Sequence, residues 1–177
     1  MIVKDDSCSF HQKALERRCE MVTLEQLKEN ELFQELSEAD LNEVLPFCKE
    51  KTFDAGTTVC TYGAKGKEFY LLLDGDVSLQ VPSEKEFGIL VVFVRPGSAF
   101  GFSGLIFPYS YTSTAKCNTK SKVIAIECAP FRDFIANKNN HIGFLFVRNL
   151  ARVLMKRLDT ARKNLSYLVS QVPIDMS

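Results

Sequence analysis

The sequence predicts an α+β fold that is mainly β: a jelly-roll-like β-roll, or double-stranded β-helix, flanked by N-terminal helices and a long C-terminal helix. Apolar residues recur at helical spacing at both ends of the chain, whereas the middle, from Thr52 to Cys128, consists of short β-rich runs separated by turns. Many short strands at this spacing are typical of a roll or sandwich, and not of alternating strands and helices.

We divide the 177 residues into three parts. Residues 1–30 are predicted to be a helical extension, residues 31–140 the β-roll, and residues 141–177 a C-terminal helix. A chain of this length buries enough surface to fold as one domain with an appendage.

Capping signals predict the N-terminal helices. Thr23-Leu-Glu-Gln26 has the form of a capping box, in which the threonine hydroxyl accepts from a free backbone N–H and the glutamine side chain reaches back. Asn30 and Ser37 are further N-cap candidates. Apolar residues recur at helical spacing after Ser37, and Pro46 is expected to end that helix because it interrupts the backbone hydrogen bonds.

Six β-rich runs are predicted within the roll, and glycine, proline, asparagine or aspartate separates them. The Asp74-Gly75 pair favours a tight hairpin, because it tolerates the positive φ that such turns need. The predicted strands are Thr57–Tyr62, Phe69–Leu73, Val77–Val81, Ile89–Val94, Thr112–Cys117 and Val123–Ile126.

A short helix over Phe131–Asn137 and a long helix from about Ile142 to Ser170, ended by Pro173, are predicted to close the chain. The long helix carries an apolar stripe that steps by three and four residues with one slip. One small roll cannot cover so long a stripe, so we expect a parallel homodimer; packing wholly on its own domain is the alternative. The predicted interface residues are Val147, Leu150, Leu154, Leu158, Ala161 and Leu165.

Composition excludes several classes of protein. Lys and Arg together number 22, as do Asp and Glu, so charge gives no reason to expect a nucleic acid or an anionic membrane as partner. No apolar run approaches the length of a membrane-spanning helix, and the first residues lack the pattern of a signal peptide. The six cysteines form no CxxC pair, which agrees with a cytoplasmic protein whose thiols stay reduced.

Catalytic patterns are missing from the sequence. The two histidines, His11 and His141, lie outside the predicted strands, so a roll-based metalloenzyme has no ligand cluster. No nucleophile, base and acid are spaced as a catalytic set. We therefore predict a protein that is not an enzyme and has no catalytic residue, no metal site and no cofactor.

Three motifs and the order of the elements resemble the cyclic-nucleotide-binding domain family, which includes catabolite activator proteins, protein-kinase regulatory subunits and gated ion channels. The motifs are Leu32–Ser37 before the first strand, Tyr62–Val77 with its spaced turn glycines, and Pro96–Ala115. The third falls where the family places its phosphate-binding cassette, a helical turn whose backbone N–H groups face a cyclic phosphate. The resemblance implies a ligand-sensing module.

The cassette departs from the family pattern at two positions. Phe102 stands where cyclic-nucleotide binders have a glutamate for the ribose hydroxyl, and Tyr111 stands where they have an arginine for the phosphate. Truncating one partner of such a charged pair typically costs ~2–5 kcal/mol. In the family the long helix covers the pocket, and the resemblance therefore implies that Asn149 and Arg152 on this helix contact the ligand's base. The candidate ligand-binding residues are Gly101, Phe102, Ser103, Gly104, Leu105, Ser110, Tyr111, Thr112, Ser113, Asn149 and Arg152.

Three functions remain open at this stage. The pocket would bind a small ligand, cyclic AMP or cyclic GMP being the candidates, weakly or not at all, and signal through the C-terminal helix. Alternatively, the pocket is vestigial and the chain is an interaction or dimerisation module. A transcriptional regulator of the catabolite-activator type without its DNA-binding domain is the third reading, and we expect no direct contact with nucleic acid.

Overall fold

Two four-stranded antiparallel sheets face each other as a roll, with helices at either end of the chain. The computed structural model describes residues 22–82 and 89–170. The helices are α1 (Leu24–Lys28), α2 (Glu38–Val44), α3 (Cys128–Asn137) and α4 (Asn140–Ser170). The strands are β1 (Cys48–Phe53), β2 (Thr58–Cys60), β3 (Glu68–Asp74), β4 (Val77–Val81), β5 (Ile89–Val94), β6 (Ala99–Phe100), β7 (Thr114–Cys117) and β8 (Ser121–Glu127).

The order of the strands confirms the predicted fold class. One sheet has the order β1-β8-β3-β6 and the other has the order β2-β7-β4-β5. All six predicted strands exist, and β4 and β5 have the predicted bounds, Val77–Val81 and Ile89–Val94. Two strands were not predicted: β1, whose lysines and glutamate hide its pattern, and β6, which has two residues.

The predicted capping box at Thr23 and the predicted N-cap at Ser37 are both confirmed, and Ser37 forms a capping box as well. Thr23 caps α1 with Gln26, and Ser37 caps α2 with Asp40, each pair exchanging side-chain and backbone hydrogen bonds. Helix α2 ends at Val44, and Pro46 lies in the 3₁₀ turn that follows, as expected. Asn30 caps no helix; instead it fixes a turn by accepting from the Leu32 N–H and donating to the Gly97 carbonyl.

The buried residues form two separate clusters. The helix-side core joins the N-terminal helices, α3, α4 and one sheet, and Phe131 lies at its centre. The Phe131 ring lies 5.0 Å from that of Phe146 and 5.4 Å from that of Phe69, measured between centroids. The roll core lies between the two sheets and contains Tyr70, Phe100 and Tyr111.

Helix α4 packs one face on the domain and leaves another exposed. Ile142, Phe146, Leu150 and Val153 belong to the helix-side core. The inclusion of Leu150 in the dimer stripe is therefore wrong, because this side chain is only 5% exposed within its own domain. The exposed stripe contains Ala151 instead, and with that change it steps strictly by four and three residues without a slip. Its members are Val147, Ala151, Leu154, Leu158, Ala161 and Leu165.

Several predictions concern residues outside the described ranges. Most of the 1–30 extension, the helix end at Pro173 and the two N-terminal cysteines lie there, and the three domain boundaries stay predictions. Within the described residues, no helix combines the length and the apolar character needed to cross a membrane.

Phe131→Ala tests the helix-side core. We expect the free energy of unfolding to fall by about 3–5 kcal/mol, because a fully buried ring leaves a cavity among other rings. Phe107→Ala is the matched control: this side chain is 81% exposed, so its loss should change the stability by less than about 0.5 kcal/mol. Urea unfolding followed by circular dichroism measures both, and equal losses would contradict the assigned core.

Candidate functional site

The cassette segment turns sharply after β6. Gly101 takes φ = 76°, a left-handed conformation that favours glycine, and residues Phe102–Leu105 form a 3₁₀ turn. A loop with a cis Phe107–Pro108 bond then leads to β7. The expected helical turn is present, so the segment is not a plain extended strand.

Close backbone contact holds this turn against the β2–β3 connection. A Cβ atom on Gly66 would lie 2.3 Å from the Cα of Gly104. The two backbones are therefore too close for any side chain at position 66. The Gly66 N–H also donates to the Tyr109 carbonyl at 2.8 Å. Gly66 of the sequence motif therefore sets the distance between the cassette and the roll.

Tyr111 turns into the roll and is 7% exposed. Its hydroxyl donates to the Glu68 carbonyl at 2.8 Å and accepts from the Glu68 N–H at 3.2 Å. The ring lies in the roll core with Tyr70 and Phe100, which stack on each other with centroids 5.1 Å apart. At the position of the family's arginine, the chain thus places its own phenol, fully hydrogen-bonded, inside the roll.

Burial suppresses ionisation around Tyr111. Removal from water raises the pKa of the Tyr111 hydroxyl to about 12 and that of the adjacent Cys60 thiol to about 12. Burial also raises the pKa of Tyr70. The roll interior is therefore uncharged at neutral pH, which is unfavourable for an unpaired phosphate.

Phe102 faces the helices and not the interior of the roll. It belongs to the helix-side core, and the Arg157 guanidinium lies 4.8 Å from its ring centroid. Arg157 also donates to the Ala99 carbonyl, which joins α4 to both sides of Gly101. Burial lowers the pKa of Arg157, but a guanidinium stays charged.

The remaining cassette residues have three surroundings. Ser103 and Thr112 meet across the loop, where the Ser103 hydroxyl accepts from the Thr112 N–H at 3.3 Å. Leu105 lies in the helix-side core. Ser110 pairs with Lys65 in an isolated β-bridge, and Ser113 is half-buried.

Asn149 and Arg152 contact the N-terminal helical segment and not the cassette. The Asn149 amide donates to the Leu32 carbonyl at 3.1 Å, and Arg152 pairs with Glu35. Arg148 pairs with the same carboxylate, and hydrogen bonds from the two arginines lower the pKa of Glu35. These contacts fix α4 to the segment before β1; a role for both residues in ligand binding stays a prediction.

Sequence reasoning missed Arg157 and Glu68. Arg157 lies four residues after Val153 and seven after Leu150, so its spacing places a charge on the buried face of α4, a signal that was available. Glu68 offered no such signal, because its role depends on contacts across the sheet. Its carboxylate pairs with Lys51 at 2.6 Å and accepts from the Tyr70 hydroxyl at 3.1 Å.

The described residues contain no candidate metal site. Across residues 22–82 and 89–170, no three His, Cys, Asp or Glu side chains are grouped so that they would hold an ion.

An antiparallel roll with a helical cassette and a C-terminal helix defines a class of ligand-binding regulatory domains. The profile of the cyclic nucleotide-binding domain family matches residues 50–138. A solved structure from Geobacter metallireducens GS-15, described as a cyclic nucleotide-binding protein, is 32% identical and superposes with a TM-score of 0.70, covering 78% of this chain and 99% of that one. The chain belongs to the cyclic nucleotide-binding domain family.

A curated relative and a second solved structure are also similar to this chain. A cyclic nucleotide-gated potassium channel of Mesorhizobium japonicum is 29% identical over 101 residues, which are 57% of this chain and 26% of the channel. The catabolite activator protein of Thermus thermophilus shares the fold at 21% identity and a TM-score of 0.65, with 79% of this chain and 63% of that one covered. The chain spans about a quarter to a half of the length of the curated relatives that it matches.

Tyr111→Phe tests the closed interior through pH. Because the folded protein raises this pKa from 10.0 to about 12, the phenol stabilises the fold fully below pH about 10, and that stability is lost as the pH rises towards 12. Below pH about 10 we expect the variant to be less stable by about 1–2 kcal/mol, because Glu68 loses its partner. The gap should narrow above that pH in urea titrations; parallel curves would mean that the hydroxyl is in water.

Proposed function

We propose that this protein is a regulatory sensor domain that admits a small ligand into the roll when Tyr111 leaves its place. Cyclic AMP and cyclic GMP are the candidate ligands, because the chain belongs to the family and keeps the helical turn of the cassette. The observation that carries this proposal is the Tyr111 hydroxyl bonded to the Glu68 backbone where the family has its arginine.

Displacing Tyr111 weakens binding by a predictable amount. Each neutral hydrogen bond contributes about 0.5–1.5 kcal/mol, so the two bonds to Glu68 together cost about 1–3 kcal/mol when they break. That cost lowers ligand affinity by about 5- to 150-fold, in addition to the missing arginine–phosphate pair. A cyclic nucleotide is therefore expected to bind weakly to the unmodified chain.

Arg157 connects the cassette to α4 and would transmit a movement of the cassette to the helix. Its guanidinium contacts the Phe102 ring and the Ala99 carbonyl, which lie on either side of Gly101. Ligand entry that moves the cassette turn must shift or break these contacts, so the position of α4 changes with occupancy. Signalling would thus consist of a local change of contacts at Arg157 that moves the whole length of α4.

The exposed stripe of α4 supports a homodimer. Its large apolar side chains are exposed and occupy the a and d positions of a heptad repeat: Val147, Leu154, Leu158 and Leu165. Soluble proteins rarely leave so large an apolar surface in water. A second copy of α4, parallel to the first, would cover the stripe and link the two cassettes.

An interaction module with a vestigial pocket is the second candidate function, favoured by the fact that Tyr111 already fills the interior. In both cases we propose a cytoplasmic protein without enzymatic activity. The described cysteines are all free thiols, as expected in a reducing compartment.

A sensor gains about 2.7 kcal/mol of stability at a ligand concentration of 100 Kd, whereas an interaction module gains none. A thermal-shift screen with cyclic nucleotides separates the two.

Tyr111→Arg should increase the affinity for cyclic AMP at least about tenfold, because it opens the interior and provides a charge-assisted partner for the phosphate. Titration calorimetry measures the gain. Tyr62→Arg is the control: it adds the same charge at an exposed tyrosine and should leave the affinity unchanged. No gain in Tyr111→Arg, in a protein that still melts cooperatively, would show that the interior is shaped for something else.

Leu158→Asp should convert the dimer to monomer, because it places two carboxylates at the centre of the α4–α4 stripe. Sedimentation velocity gives the mass. Tyr167→Asp is the matched control: Tyr167 is also exposed on α4 but lies on the other side of the helix. A Leu158→Asp protein that remains a dimer would remove α4 from the interface.

A further inference from the structure

A second cleft lies on the surface, between the β2–β3 connection, the cassette loop and the first turns of α3. Its volume is about 650 Å³, within the range of small-molecule sites. Residues Lys65–Glu68, Tyr109, Glu127 and Arg132 line it. Glu68 lines the cleft and its backbone binds the Tyr111 hydroxyl, but no side chain of the roll core lines the cleft, so it is a separate site.

Backbone contacts hold the walls of this cleft together. The Gly66 N–H donates to the Tyr109 carbonyl at 2.8 Å, and the Cys128 N–H donates to the Lys67 carbonyl at 2.8 Å. The close contact of Gly66 with Gly104 fixes the same connection from behind. The cleft is therefore formed before any ligand arrives, which lowers the entropy cost of binding.

The charges around the cleft leave an excess of cations. Glu68 pairs with Lys51 at 2.6 Å and Glu127 pairs with Lys49 at 2.7 Å, so both carboxylates in the wall are neutralised. Within residues 22–82 and 89–170, the three other charged wall residues have no carboxylate partner: Lys65, Lys67 and Arg132.

Arg132 is held in place without using its hydrogen-bond donors. Its guanidinium lies over the Tyr109 ring, 4.2 Å from the centroid. No acceptor for it is found in the described part of the chain. An arginine stacked on a ring keeps its N–H groups available for a carboxylate or phosphate in its plane. Ala129, Pro130 and Tyr109 add apolar surface beside it.

We propose that this cleft binds a small organic anion, whose carboxylate or phosphate contacts Arg132 and the two lysines while its apolar part lies on Pro130 and Tyr109. The proposal is independent of the function proposed for the roll interior, because none of these side chains lies in the roll core. It gives the domain a second small-molecule site next to the cassette loop, so that an anion bound there would restrain the loop that carries Tyr109 and Tyr111.

Amide NMR with 1-naphthyl phosphate as the probe tests the site. Saturable shifts are expected at Gly66, Tyr109 and Ala129, and not at Val77 or Ala115 in the roll core. Inorganic phosphate and 1-naphthol, which each lack one half of the probe, should bind more weakly. Added salt should weaken the binding, since Lys65 and Lys67 are exposed to solvent and Arg132 is only half-buried. Shifts confined to the roll core, or no saturable shift at millimolar probe, would overturn the proposal.

Arg132→Met keeps the stem of the side chain and removes its charge. We expect its affinity for 1-naphthyl phosphate to fall by roughly ten- to a hundredfold, the value of a charged hydrogen bond. Lys138→Gln, a lysine at the other end of α3, is the matched control and should keep the affinity of the unmodified chain. Equal affinity in Arg132→Met and the unmodified chain, or an equal loss in the control, would refute a specific anion site.

Discussion

The hydrogen bonds between the Tyr111 hydroxyl and the Glu68 backbone are the interaction on which the candidate site depends. They join the end of the cassette to the first residue of β3, and they place an aromatic ring where the family has a cation. Because the hydroxyl both donates and accepts, neither backbone group of Glu68 is left unsatisfied inside the protein. The closed interior is thus a stable arrangement, and any ligand must compete with it.

Glu68 connects this closure to the rest of the roll. Its side chain pairs with Lys51 on β1 and accepts from Tyr70, whose ring stacks on Phe100 of β6. Its backbone meanwhile holds Tyr111. One residue therefore links two strands of the first sheet with the cassette, and the same residue lines the neighbouring surface cleft.

On the other side of the cassette turn, Phe102 and Arg157 connect the site to α4. Phe102, which stands where the resemblance places a glutamate, lies in the helix-side core, where the Arg157 guanidinium covers its ring. The two departures from the family pattern thus have different consequences. One fills the interior, and the other strengthens the contact between the cassette and the helix that carries the exposed heptad stripe.

The sequence by itself determined the fold class, six of the eight described strands, the capping box at Thr23 and the N-cap at Ser37, because these follow from local spacing and turn chemistry. The place of the cassette followed from the resemblance to the family. That resemblance also located Phe102 and Tyr111 as unusual. Tertiary structure alone decided where those two side chains point, since contacts with residues distant in the sequence place Phe102 in the helix-side core and Tyr111 in the roll core. It also decided that Leu150 is buried while Ala151 is exposed, because neighbouring positions on a helix face about 100° apart and only packing selects between them.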